Sequence, residues 1–485
     1  MLAAAVLFSL TLLTPLDTGM GTGDSSWFLQ VSCRLAAGEV LYRDVFFGAG
    51  PIGPYLASLF ERMSGGEMLG LRLLQLLLFG GIAAVVWNTL RRGGVNSRWQ
   101  APVFCALVVY GLEPAFSIYN VLSTLLLLCV MRAALEWHWG GVMRWLWLAG
   151  VLAGLEVGAK QNVAVLAALA LGVPLLARAE WRGLARAAAG FAGAAGTVSA
   201  AVWLSGGWDK FLEYGFTAKG RYLAVGFPPS ATVARFLAEM RGAPTWSYQL
   251  RLTYSFCALA AAAVCVAAVV AAWLRVRGER GEVNFAASFT AGALLTLYPI
   301  SDLSHLAYAS PIFLIGAVLA VKDAGAPAIW ALRAATLWFA PAVVWIALSP
   351  AWFAATGQMS MMRVPHFRGV PMRIADRSMV ERRVKGLREA VMAGHRPYLI
   401  TLHAGFYYLG TGLTNLTPFD YPAASAFGKR GEARLIDSLR RREIAEACLD
   451  PEFEGIFFAP RELTRFVRTE MHMRKDLGAC VLYGW

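Results

Sequence analysis

The chain has 485 residues, of which 58% are hydrophobic and 15% charged, with a mean hydropathy of +0.53. Soluble domains carry about 25% charged residues, so this composition excludes an ordinary soluble fold and points to an integral membrane protein. A formal net charge of +13 would suit nucleic acid only if basic residues clustered on one face with a binding motif; here they are spread along the chain in a way that a membrane explains.

In chain order, Met1 to Thr14 is apolar but short of the about 20 residues a span needs, and it lacks the basic start of a signal peptide, which leaves open a start further upstream. Residues 17–55 follow, a polar and aromatic stretch between apolar segments, and chemistry is expected there. Within it, Ser25 to Ala37 reads as a short helix lying on a surface: Trp27, Val31 and Leu35 recur at four-residue spacing, with Gln30 and Arg34 on another face. Gly38 ends it. Asp24 falls at the N-cap, where a carboxylate ordinarily accepts backbone N–H bonds. Beyond Gly38, Glu39, Arg43 and Asp44 set charge beside Tyr42, Phe46 and Phe47, before Gly and Pro residues turn the chain back toward the membrane. On this reading Asp24 and Asp44 can face one cleft.

Apolar segments then follow at 67–90, 100–114, 116–136, 145–159, 162–177, 187–205, 251–274, 283–300, 306–321 and 328–348, which with the first gives about eleven spans. Alternate connections are rich in arginine: Arg91, Arg92 and Arg98; Arg132 and Arg144; Arg178, Arg182 and Arg186; Arg275, Arg277 and Arg280; then Lys322 and Arg333. By the positive-inside rule these are cytoplasmic, which places the N-terminus inside and the C-terminus outside. Asp24, Lys160, Asp302 and His305 then share the exported side.

The exported connection 206–250 carries Trp208, Phe211 and Tyr214 at the spacing of an interfacial helix, for which an anchor at headgroup level is the preferred reading, with Lys219, Arg221, Arg235 and Arg241 adding charge. From about 349 to 485 the composition turns soluble: helices at 376–394 and 432–448 and strands at 398–402, 454–458 and 479–483 predict a small exported α/β domain, read as a stabilising or docking module beside a membrane core of residues 1–348. Cys448 and Cys480 both fall in it, where oxidation can join them if they meet. No histidine pair has metal-ligand spacing and no phosphate-cradling glycine motif is present, so no cofactor is assigned, with a divalent metal left open.

Several separated motifs point further. Asp24 opens the first helix, LAAGEVLYRD and GPIGPYL follow in the first loop, and AFSIYN (115–120), AKQN (159–162) and YPISDLSHLAYASP (298–311) mark later span ends. In order and membrane context the chain resembles the GT-C superfamily of integral-membrane glycosyltransferases, particularly the bacterial branch similar to lipid A aminoarabinose transferases and protein O-mannosyltransferases. It departs in one respect: many relatives place two acids side by side, and here Asp24 is followed by Ser25 and Ser26.

The resemblance implies an all-α polytopic enzyme of a bacterial cytoplasmic membrane. It would move a sugar from a polyprenyl-phosphate donor to a lipid, glycan or protein acceptor on the exported side. A lipid phosphate is already a good leaving group, so such an enzyme needs one carboxylate to activate the acceptor and one or two cations for phosphate charge. Asp24 is the expected base, with inversion of configuration, and Asp44 the second choice. Lys160, Gln161, Asn162, His305 and Asp302 are expected around the donor phosphate, with Tyr42 and Arg43 nearby. Two other classes fit the membrane core alone: a transporter using Lys160, Asp302 and His305 along a pathway, and a catalytically silent glycan-binding subunit.

Overall fold

The computed structural model describes residues 16, 21–111, 118–218, 246–276, 281–297, 303–323, 326–337, 340–456 and 458–485, and positions 234, 237 and 238. The expected span Met1 to Thr14, the cations Lys219, Arg221, Arg235 and Arg241, and Asp302 lie outside them.

A π-helical turn, Gly21–Ser25, leads into α1 (Ser26–Ala36), followed by α2 (Ile52–Ser64), α3 (Met68–Arg92), α4 (Gln100–Gly111), α5 (Ile118–Gly140), α6 (Arg144–Ala159) and α7 (Gln161–Ala177). Next come α8 (Trp181–Leu204), α9 (Trp208–Leu212), α10 (Trp246–Val276), α11 (Gly281–Leu295), α12 (Leu303–Val321), α13 (Ala326–Leu337) and α14 (Ala340–Ala355). Among the described residues α3, α5 and α8 are long and apolar enough to cross a membrane, with shorter apolar stretches in α7, α10 and α12. In α5, 72% of the most apolar window is buried, against 22% in α8. The first is therefore the central helix and the second faces outward, as a lipid-exposed helix would. The expected single segment 328–348 is instead two helices, α13 and α14. Each begins Ala-Pro-Ala, and proline in a first turn forfeits only an N–H that a helix start leaves unpaired.

The C-terminal stretch begins with a hairpin, β1 (Met359–Met361) and β2 (Pro371–Arg373), continues through α15 (Ile374–Met392), β3 (Tyr398–Ile400), α16 (Ala404–Thr411), α17 (Ala433–Arg440) and β4 (Glu446–Leu449), and closes with α18 (Arg461–Glu470), β5 (His472–Asp476) and β6 (Val481–Gly484). Strands β3 to β6 form one sheet ordered β3-β4-β6-β5, with β3 and β4 parallel and the other pairs antiparallel. Two expectations are corrected. The helix read over 432–448 stops at Arg440 and becomes β4, with Arg442 in the left-handed region at φ 58°. The strand read over 454–458 is a 3₁₀ turn, Phe453–Gly455. The edge strand β5 is exposed at all five positions, so it shows no apolar alternation.

Cys448 in β4 is bridged to Cys480, 32 residues later and just ahead of β6, with the Cα atoms 5.4 Å apart. Closing a loop of this length is worth about 3–4 kcal/mol in the chain-entropy model. Denatured protein is expected to gain two alkylatable thiols on reduction. The gain should vanish in Cys448→Ser, which should also melt at lower temperature.

Helix α1 is not a surface helix. It packs on α2 on one side and on α16 on the other, and Phe28, Leu29, Gln30, Val31, Ser32 and Leu35 are all buried. Its polar face, which suggested solvent, meets the C-terminal unit instead. At its far side Glu61 of α2 is 1% exposed, and burial, reinforced by Glu67, pushes its carboxyl up to about 8 against a hydrogen bond from Ser64. The neighbouring Cys33 thiol is pushed up to about 12 by burial and by the charges of Glu61 and Glu67. A carboxyl raised in the folded state favours folding below its unfolded pKa and loses that advantage as pH climbs toward 8, at about 1.4 kcal/mol per unit. Glu61→Gln should therefore raise the melting temperature at pH 8 and leave it nearly unchanged at pH 4.5.

Candidate active site

Asp24 lies inside the π-helical turn, and the N-cap of α1 is Ser25, which has helical backbone angles and makes no capping bond. Tyr421 of the C-terminal stretch lies close enough to Asp24 to feel its charge. Burial, then the Asp24 charge, hold that phenol well above the usual tyrosine range, so it remains a donor. Aromatic rings wall the turn. Tyr421 stacks on Trp27 at 5.1 Å, Trp27 lies 5.5 Å from Phe47, and Phe47 meets Tyr119 edge-on at 5.5 Å. The turn is held from the C-terminal side by a hydrogen bond of 2.9 Å between Thr22 Oγ1 and His403 Nδ1. A Cβ on Gly405 would lie 2.6 Å from the Ser26 carbonyl oxygen, so only glycine lets α16 approach α1 this closely.

Ten residues along α1, Arg34 is the charged centre of the first loop. Its guanidinium donates to both oxygens of Asp420 (2.9 and 3.0 Å), to Glu39 (2.6 Å) and to the carbonyls of Thr417 and Asp44. The Asp420 side chain is fully buried and also accepts from Asn415 at 2.9 Å. Burial alone would lower the Arg34 pKa; Asp420 and Glu39 reverse it, so the guanidinium stays charged. Removing one partner of such a pair strands the other charge in the interior. Arg34→Met is expected to cost about 3–5 kcal/mol, read as a drop in melting temperature larger than that of Arg43→Met, whose native side chain is 54% exposed.

The other first-loop candidates have local tasks. Asp44 accepts the Val40 N–H at 2.8 Å and pairs with Arg43, whose hydrogen bond lowers its pKa. Both therefore close the 40–44 turn. Tyr42 is 1% exposed, adopts φ 69° and donates its hydroxyl to the Ala49 carbonyl.

Lys160 and His305 do come together. Lys160 is the extended residue (φ −153°, ψ 104°) that breaks α6 from α7, and with His305 of α12 it lines one cavity with Asn120, Ser123, Thr124, Thr296 and Tyr308. Gly50 of the first loop sits on this break. Its N–H donates to the Ala159 carbonyl at 3.1 Å, and a Cβ there would lie 2.2 Å from the Gly158 carbonyl carbon. The AKQN string is otherwise divided: Gln161 is buried against Gly215, and Asn162 is exposed. Trp208, Phe211 and Tyr214 do not form a uniform headgroup anchor. Phe211 and Tyr214 are buried, packing edge-on against Tyr42 at 5.1 Å and Phe46 at 4.6 Å. Among the described residues no group of three His, Cys, Asp or Glu side chains is arranged to hold a metal ion.

Residues 50–299 match the model of glycosyltransferase family 87. The chain belongs to that family. It is a membrane glycosyltransferase of the GT-C superfamily, as the motifs suggested. In fold, this family 87 protein is similar to ArnT from Cupriavidus metallidurans in two crystal structures. The one bound to undecaprenyl phosphate gives a TM-score of 0.56 at 14% identity, covering 99% of this chain and 96% of that one; the apo structure gives 0.55 at 14% with the same coverage. No curated protein matches the chain in sequence.

The family 87 fold also assembles groups that sequence reasoning left aside. Asn120, Ser123 and Thr124 share one face of α5; Ser123 donates to the buried Glu156 at 2.9 Å and Thr124 to the Tyr308 carbonyl at 3.1 Å. A signal was present: polar residues at i, i+3 and i+4 in an apolar helix, and Glu156 one turn before Lys160. Asp420, Tyr421 and His403 had none, because they meet the first loop only across some 380 residues.

Proposed function

We propose that this glycosyltransferase transfers a sugar from a polyprenyl-phosphate-linked donor to an acceptor on the exported side of a bacterial cytoplasmic membrane, in one step with inversion. The observation that carries the reading is the cavity that Lys160 and His305 line together at a helix break bonded to the first loop. A protein of similar fold has been solved bound to undecaprenyl phosphate, which supports a lipid phosphate as the donor's leaving group. The arginine-rich alternate connections and the Cys448–Cys480 bridge, typical of an oxidising compartment, support a cytoplasmic N-terminus, a core of residues 1–348 and an exterior unit of residues 349–485.

In this mechanism the acceptor oxygen bonds to the anomeric carbon as the carbon–phosphate oxygen bond breaks. The bonding pair stays on the phosphate and the acceptor proton passes to Asp24. Lys160 supplies a compact cation and His305 a hydrogen bond to the charge that builds on the departing phosphate. Tyr42 and Arg43 leave the site on this reading because their side chains bond within the first loop, and Gln161 and Asn162 because they are not among the residues lining the cavity.

The test uses the purified full chain, a panel of lipid-phosphate sugars and membrane extract, with products identified by mass spectrometry. Asp24→Asn should lower turnover by about 10²–10⁴-fold while the protein stays folded. Lys160→Ala and His305→Ala should weaken donor dependence and lower the maximal rate. Wild-type donor dependence and rate in both would move the phosphate site elsewhere, and a fully active Asp24→Asn would remove the base.

A further inference from the structure

We infer that Glu156, a buried carboxyl that the transfer step leaves unused, is a positioning residue for Lys160: by taking the Ser123 proton it leaves that hydroxyl an acceptor in the cavity, which holds the ammonium in place for the donor phosphate. The inference deepens the proposed function and rests on Lys160 being the cation that meets the phosphate.

Glu156 lies in α6 with its side chain shut off from solvent, the residue being 0% exposed. Its Oε2 accepts from the Ser123 hydroxyl at 2.9 Å, while Oε1 is buried with no hydrogen-bond partner among the described residues. An acid is costly to place in an apolar interior unless a cation answers it. Lys160 is four residues on, its N–H donates to the Glu156 carbonyl at 2.6 Å, and its charge reaches the carboxyl. The acid therefore sits one turn behind the helix break and is bonded to the wall that α5 gives the cavity.

A hydroxyl has one proton to donate and two lone pairs with which to accept. Both hydroxyl residues of α5 that line the cavity direct that proton into the protein: Ser123 to Glu156, and Thr124 to the Asn120 or Tyr308 carbonyl, each at 3.1 Å. Toward the cavity these two oxygens can only accept, which suits an ammonium and repels phosphate oxygens. Phosphate then takes its hydrogen bonds from Lys160 and from His305 of α12, and not from these hydroxyls. An amide at position 156 would also accept from Ser123. What a carboxylate adds is charge opposite the ammonium.

Glu156→Gln keeps the shape and the bond to Ser123 and removes the charge, whereas Ser123→Ala, on the other helix, removes the acceptor. The probe is undecaprenyl phosphate titrated into the purified full chain in detergent. Each variant should raise Kd about tenfold, the strength expected of one hydrogen bond to a charged group, with acceptor KM unchanged in the transfer assay. Because the effect runs through Lys160, neither should raise Kd further once Lys160→Ala is present. A residue that merely packs α5 on α6 would lower affinity equally in both backgrounds and shift acceptor KM. Kd is referred to the folded fraction, and Ser123→Ala keeps the test decisive should Glu156→Gln fold poorly. Wild-type affinity in either folded single variant, or a loss of equal size with Lys160→Ala in place, would overturn the inference. Wild-type affinity in Lys160→Ala sinks the phosphate reading itself, whereas weak binding by Lys160→Ala beside wild-type binding by Glu156→Gln sinks only the role of Glu156.

Discussion

The arrangement of the first loop depends on a buried ion pair. Arg34 and Asp420 are removed from water together, and their attraction offsets the desolvation only because Glu39, Asn415 and two backbone carbonyls satisfy the remaining donors and acceptors. Since Arg34 belongs to the helix that Asp24 introduces and Asp420 to the C-terminal unit, the pair sets where each stands relative to the other. Stacking of Trp27 on Tyr421 and the close approach at Gly405 follow from that placement.

A second constraint is the helix break at Lys160. A charged residue within an apolar helix must be paired or must reach a polar cavity. Here the extended backbone ends α6, turns the side chain into a cavity lined by the polar face of α5, and leaves the Ala159 carbonyl to accept from Gly50. Tyr119 and Asn120 are adjacent at the start of α5, one beside the aromatic wall near Asp24 and the other in the cavity with Lys160. The acid and the cation are thus referred to the same helix start.

The contacts of the connection after α8 point the same way. Glu213 accepts from Lys210, from the Lys429 N–H at 2.9 Å and from Arg434, and these outweigh the burial that would raise its pKa. With Phe211 and Tyr214 packed on Tyr42 and Phe46, this segment joins the first loop to the C-terminal unit, and its Gly215 lies against Gln161, next to the break at Lys160.

The sequence by itself determined the membrane class, most helix positions outside 328–348 and 432–448, and the GT-C superfamily, and it marked Asp24, Lys160 and His305 as candidates, because hydropathy, arginine distribution and short motifs are local properties. It could not determine which of those residues meet. Asp24 reads as a helix cap until the π-helical turn takes it out of the cap position, Arg34 reads as part of a solvated face until Asp420 covers it, and Gln161 and Asn162 are indistinguishable from Lys160 until the break turns only Lys160 into the cavity. The charged edge strand β5 and the change from α17 to β4 escaped for the related reason that their conformations are imposed by pairing with β6, not by periodicity. Contacts across hundreds of residues depend on how helices and sheet pack, and that packing is decided only by the tertiary fold.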